Sequence, residues 1–337
     1  MNNELFPFAT HWWFYGGFTA VVILLLALDL GVFHRKAHAV SFREAAAWCV
    51  VWVSLALAFN FGLYQYTLAH HGEETARRIG LEFLAGYLVE ESLSLDNIFV
   101  FVLLFRYFAI PAEFQHRVLF YGILGAIVMR GIFIAAGAAL IRYHWVVMAF
   151  GLFLVVTGIR MMFAGDRPEP GDNPMLKLLR RFLPVTGSFE GAKLLTRLPD
   201  GRRAATPLMV ALVCVETTDL LFAIDSVPAV FALTREPLVV FTSNIFAILG
   251  LRSLYFLLAG AVDRFHLLKY GLALVLIFVG LKMTVFTGLP IAVSLGAIAG
   301  ILAVSIGASL ILPPPAPVGG AGTGTACRPG GPAPAHQ

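Results

Sequence analysis

Apolar residues in this chain run in blocks of about twenty, broken by short polar connections, instead of alternating or recurring every third and fourth position. A block that long crosses the hydrocarbon of a bilayer as an α-helix, because only a helix satisfies its own N–H and C=O groups where no water is available. Nine blocks are predicted to span, at about 12–33, 45–68, 82–105, 117–140, 144–163, 207–232, 238–262, 267–287 and 290–312. The connection of about 164–206 holds a short amphipathic stretch, Leu176 to Leu183, flanked by Lys177, Arg180 and Arg181 and expected at the membrane surface. From Pro313 the chain is rich in Pro, Gly and Ala and is expected to be disordered. The predicted fold class is an all-α polytopic membrane protein with one transmembrane domain over 1–312 and a tail over 313–337.

Composition sharpens this. Of 337 residues 59% are hydrophobic and 13% charged, with a mean hydropathy of +0.82, which excludes a soluble core. The net charge of +4 comes from Lys and Arg scattered through the connections, so it reports topology and not a nucleic-acid face. With the N-terminus outside, inward connections hold about fifteen basic residues (Arg35, Lys36, Arg106, Arg117, Arg202, Arg203 and Arg264 among them) and outward ones about four. That asymmetry predicts N-out, C-in. Ala37-His38-Ala39 imitates a signal-peptidase box, but the first block lacks a basic leader and contains Asp29, so it reads as a retained helix. Cys49, Cys214 and Cys327 lie far apart with no metal-site or disulfide spacing.

A unit of three helices is expected to occur twice. Ile123-Leu124-Gly125 matches Ile248-Leu249-Gly250, Gly158-Ile159-Arg160-Met161 matches Gly280-Leu281-Lys282-Met283, and Arg130 and Arg252 fall at corresponding depth. An odd-numbered unit must insert its second copy upside down, so an inverted repeat is expected, with repeat 1 at about 82–163 and repeat 2 at about 207–287.

Each repeat opens on acids at mid-bilayer: Glu90, Glu91 and Asp96 in the first, Glu216, Asp219 and Asp225 in the second. A carboxylate there costs a few kcal/mol and persists only beside partners or water. Glu90 and Asp96, like Asp219 and Asp225, are six apart, about 240° around a helix, so no single face carries both. Pro228 is expected to unwind the turn beside Asp225 and let it converge with Asp219. Glu90, Ser94 and Asn97 form a polar stripe at i, i+4 and i+7. These hard oxygen donors suit Mn, Mg or Ca. The expected ligands are Glu90, Asp96, Glu216, Asp219 and Asp225, with Asp29, Glu91, Asn97, Asn244, Arg130 and Arg252 around them. The plainer reading pairs some acids with Arg130 or Arg252 and uses Asn244 to tie helices together.

The blocks Leu28 to His34, Glu91 to Phe101, Glu216 to Asp219, Ala223 to Ala229 and Ser243 to Phe256 resemble the TerC family, in its Alx-like branch, across about 12–287. The resemblance implies a manganese exporter of the bacterial inner membrane, with Asp29, Glu90, Asp96, Glu216, Asp219 and Asp225 as transport residues. No cofactor is expected; the transported divalent cation, protons and the lipid bilayer are the expected partners, with no nucleic acid. Two other classes stay open: a non-transporting scaffold or sensor in metal, pH or tellurium stress, and an intramembrane hydrolase using paired aspartates. The expectation is a transporter and not an enzyme, N-terminus periplasmic and C-terminus cytoplasmic.

Overall fold

The computed structural model describes residues 5–28, 41–163, 181, 183–186, 189–191, 193–198, 201–259, 265 and 267–312. Asp29, Arg35, Lys36, Arg264, Cys327, most of the predicted surface stretch at 176–183 and the tail from Pro313 lie outside these residues.

Nine helices occur among the described residues: α1 (Phe8–Leu28), α2 (Phe42–His71), α3 (Glu73–Tyr107), α4 (Ala112–Leu140), α5 (His144–Phe163), α6 (Pro207–Phe231), α7 (Pro237–Leu258), α8 (Leu268–Thr284) and α9 (Ile291–Ile311). Seven are long and apolar enough to cross a membrane. The other two are α8, with 17 residues, and α3, which carries Glu90, Glu91 and Asp96 within one bilayer length. The protein is therefore a polytopic helical membrane protein. Trp12, Phe61, Val128, Trp145, Leu152 and Ile311 are among the many large apolar side chains that stand exposed, as they must where lipid and not water is the neighbour.

Local signals set the helix ends. The Ser41 side chain accepts the Glu44 N–H at 3.3 Å, with Glu44 completing the cap sequence. Gly72 alone separates α2 from α3, at φ +83°, a conformation that a Cβ would oppose. Pro207 and Pro237 open α6 and α7, where a missing N–H costs nothing. Pro228 does not unwind α6 as expected: the helix runs unbroken from Pro207 to Phe231. Proline sits in its last turn, so only one intrahelical bond is forfeited, and the Ala232 N–H still reaches the Pro228 carbonyl at 3.0 Å.

The centre of the bundle is α3, α6 and α7, with α7 buried over 89% of its most apolar stretch against 17% for α1, α2 and α9. α3 packs on α2, α6 and α7, α4 on α6 and α7, and α5 on α8. The α5–α8 contact is glycine-mediated. A Cβ at Gly158 would meet the Ala273 carbonyl at 2.7 Å and the Ile277 nitrogen at 3.1 Å, and one at Gly280 would meet the Gly151 carbonyl at 2.6 Å and the Val155 nitrogen at 3.0 Å. α1 is held mainly by rings, with Phe18 5.2 Å from Phe59, 5.6 Å from Phe241 and 5.5 Å from Phe246.

The α5–α6 connection contains an antiparallel hairpin not foreseen from sequence, β1 (Leu195–Arg197) on β2 (Arg203–Ala205). Its turn signal, Pro199-Asp200-Gly201 between short runs, was legible, and Gly201 sits at φ +83°.

Candidate cation site

Midway through the bundle three helices bring opposite charges together. Glu90 of α3, Arg130 of α4 and Asp219 of α6 are 0%, 1% and 3% exposed. Arg130 forks onto Asp219, Nη2 to Oδ1 at 3.0 Å and Nε to Oδ2 at 3.4 Å, and its Nη1 pairs with Glu90. That nitrogen also donates to Asn244 Oδ1 at 3.3 Å and Ser226 Oγ at 3.4 Å. Two amides complete the ring: Asn244 Nδ2 donates to Glu90 at 2.9 Å and Asn97 Nδ2 to Asp219 at 3.4 Å. Two carboxylates against one guanidinium leave one formal negative charge in a dry interior, where a lone charge is heavily penalised.

Two further oxygens here lack partners. Ser94 Oγ and Asn97 Oδ1 are buried with no hydrogen-bond partner in the structure, and with Glu90 they form the i, i+4, i+7 stripe of α3. Buried acceptors without donors are rare and call for a reason. Together with the carboxylates they are hard oxygen donors, the chemistry of an Mg-, Ca- or Mn-class cation.

The other predicted residues are placed differently. Asp96 is buried on α3 at 7% exposure. Asp225 is turned to α5, where Thr157 hydrogen-bonds it; because α6 stays helical, it does not converge with Asp219 through an unwound turn. Glu216 lies against α4, and its Oε1 occupies the notch at Gly125, 2.0 Å from where a Cβ would sit. Glu91 points to α2 and α7, accepting from Tyr87 Oη at 2.7 Å and lying beside Gly250. Arg252 bonds His116 at 3.1 Å on the face where α4 begins. Among the described residues no group of three or more His, Cys, Asp or Glu side chains converges in a metal-holding set. Sequence reasoning placed Arg130 around the site; it stands at the centre.

On the face where α1, α3, α5, α7 and α9 begin, an open cavity of about 410 Å³ is lined by apolar residues such as Ile141, Val147 and Phe231 and by the charged Arg78, Glu82, Arg235, Glu236 and Lys282. Toward the opposite face Asp219 borders a void of about 10 Å³, otherwise lined by Arg252 and apolar residues such as Phe101, Leu119 and Val215, about the room of one water.

The profile of the "Integral membrane protein TerC family" matches residues 75–314. An uncharacterised membrane protein of Myxococcus xanthus, STKORF319, is 51% identical over 312 residues, covering 91% of this chain and 95% of that one. A protein of Escherichia coli K12 named Alx, described as a candidate membrane-bound redox modulator, is 48% identical over 293 residues, covering 86% and 91%. An uncharacterised membrane protein of Rickettsia felis is 39% identical over 298 residues, covering 87% and 96%. No solved structure matches the chain. The chain belongs to the TerC family of integral membrane proteins.

Proposed function

We propose that this protein is a secondary transporter of the bacterial inner membrane that exports Mn²⁺ through the Glu90–Arg130–Asp219 centre, with protons as the exchanged ion. The observation that carries the reading is the pair of unpartnered buried oxygens, Ser94 Oγ and Asn97 Oδ1, on the same stripe as Glu90, in a centre holding one more carboxylate than cation. In the conformation described, Arg130 is the resident cation. Loading Mn²⁺ requires Arg130 to release one carboxylate, and proton uptake by a carboxylate discharges the metal. Manganese in particular rests on the resemblance that the sequence carries, since the oxygen set suits Mg²⁺ and Ca²⁺ as well. Asp96, Glu216 and Asp225 serve as further carboxylates along the path, and Asp29 belongs to the same proposal.

The inverted repeat is part of it. Adding 122 to Gly151, Val155 and Gly158 gives Ala273, Ile277 and Gly280, so the two glycine contacts between α5 and α8 are one contact exchanged by that shift. Reciprocity of this kind is the mark of a two-fold axis. The neighbour pattern agrees: α3 on α7 corresponds to α6 on α4, and α5 on α6 to α8 on α3. With the N-terminus periplasmic, as the basic residues favour, the 410 Å³ cavity opens outward and the conformation is outward-facing.

The test is Mn²⁺ flux into proteoliposomes with a trapped pH dye. Export predicts flux in the parent, loss in Glu90→Gln and in Asp219→Asn, and an opposing pH change. A second reading, a non-transporting scaffold or sensor, is favoured by the completeness with which Arg130 ties both acids; it predicts no flux in any form and loss of stability in both variants. No catalysed reaction is proposed.

A further inference from the structure

Eight residues before Glu90 on α3, about 12 Å along the axis and about 80° around it, stands a second acid. Glu82 is 9% exposed and borders the 410 Å³ cavity. It accepts a short hydrogen bond from Thr234 Oγ1, in the α6–α7 connection. Its other oxygen lies 3.7 Å from Arg78 Nε, and Arg78 itself is largely exposed. Two more cations wall the same cavity, Arg235 and Lys282; Lys282 of α8, only 8% exposed, is the one whose charge acts on Glu82. A lysine is seldom kept that dry without a partner.

Between Glu82 and Glu90, four residues from each, α3 carries Gly86. A Cβ there would meet Ser243 Oγ at 2.9 Å and Val230 Cγ1 at 3.1 Å. Three consecutive turns of one helix thus present a carboxylate at the open cavity, a glycine packed closely on α6 and α7, and a carboxylate in the closed centre.

We infer that Glu82 is a second cation station, between the mid-membrane centre and the open cavity, and that Lys282 is its tethered competitor. This deepens the transport reading and rests on it. An ammonium on a four-carbon stem is a point charge that can be displaced without leaving the protein. A divalent cation passing the closely packed turn at Gly86 displaces Lys282 from the field of Glu82, and the lysine head moves into the cavity. When Lys282 returns, it expels the cation outward and leaves a positive charge at the mouth, which opposes cations arriving from outside. Direction is thereby favoured by a side chain that never leaves.

The test is Mn²⁺ titration of the purified full-length protein in detergent, reading the free-ion electron paramagnetic resonance signal. Lys282→Met removes the buried charge that opposes a cation at Glu82 and leaves the exposed Arg78 in place, so that variant is expected to bind one Mn²⁺ per chain more tightly than the parent by about tenfold, the effect of removing one opposing charge. Lys282→Gln, which keeps a polar head, is expected to behave alike and replaces it if the Met form does not purify as a single species. Glu82→Gln on the Lys282→Met background is expected to abolish the added binding. The station is overturned if Lys282→Met and Lys282→Gln titrate like the parent, or if the added Mn²⁺ survives Glu82→Gln. Glu90→Gln reports separately: if it leaves Mn²⁺ binding and flux untouched, the mid-membrane centre fails while the Glu82 result still stands.

Discussion

Arg130→Met removes the guanidinium that neutralises two buried acids while keeping most of the side-chain length. Glu90 and Asp219 are 0% and 3% exposed, so neither is rescued by water. Each keeps one amide donor, from Asn244 at 2.9 Å and Asn97 at 3.4 Å. Removing one partner from a buried ion pair costs about 3–5 kcal/mol, which lowers the unfolding midpoint by about 4–7 °C in a chain of this size. A divalent cation entering the vacated place gives back about 2.7 kcal/mol at a hundredfold excess over its Kd. Thermal unfolding in detergent, followed by tryptophan fluorescence, is run with chelator and with Mn²⁺. The expected result is a destabilised variant that regains more than half its loss on adding Mn²⁺, whereas Glu90→Gln with Arg130→Met regains stability without metal. A single variant that unfolds with the parent under chelator and ignores Mn²⁺ refutes the electrostatic account of the centre.

Gly158→Ala and Gly280→Ala each force a Cβ onto facing backbone at 2.7 Å and 2.6 Å; each is expected to cost about 1–3 kcal/mol, and equal amounts, in a denaturant titration, with unequal losses counting against the two-fold relation. Gly125→Ala displaces the Glu216 carboxylate and is expected to reduce Mn²⁺ flux, whereas Gly62→Ala, with open space around it, leaves flux unchanged. At the membrane face, burial raises the Glu236 carboxyl above its ordinary 4.5, outweighing the opposing Leu5 and Phe6 N–H bonds. The folded state then holds that proton more tightly than the unfolded chain, so this contribution is full below 4.5 and is lost as pH rises through the folded value. Unfolding midpoints across the acidic range are expected to slope less steeply with pH in Glu236→Gln; an unchanged slope refutes the assignment.

Helix positions were legible because lipid imposes one rule on every block: a stretch of bilayer length must be helical. Residues 144–163 and 291–311 fall within a residue or so of their predicted bounds. Candidate acids were legible because a carboxylate in an apolar run is conspicuous. Their convergence was not, since it depends on which way each helix turns once packed. Glu90 and Glu91 are neighbours in sequence, yet one faces Arg130 and the other Tyr87. Pro228 shows the opposite failure: its break was inferred from the residue alone, but its place in the last turn of α6 removes the consequence. Glu82, Glu236 and Lys282 read as ordinary ends of helices, because nothing in a one-dimensional pattern says that α3, α8 and the α6–α7 connection enclose one cavity.

Both oxygens of Glu236 accept the Leu5 N–H, at 2.9 and 3.0 Å, and one accepts the Phe6 N–H at 3.3 Å. Phe6 is 0% exposed, with Phe14, Tyr66 and His71 around its ring. The Leu5 nitrogen is therefore pinned to a carboxylate that itself lines the cavity. An affinity tag, fluorescent reporter or anchoring linker joined directly to the Leu5 nitrogen would crowd that opening.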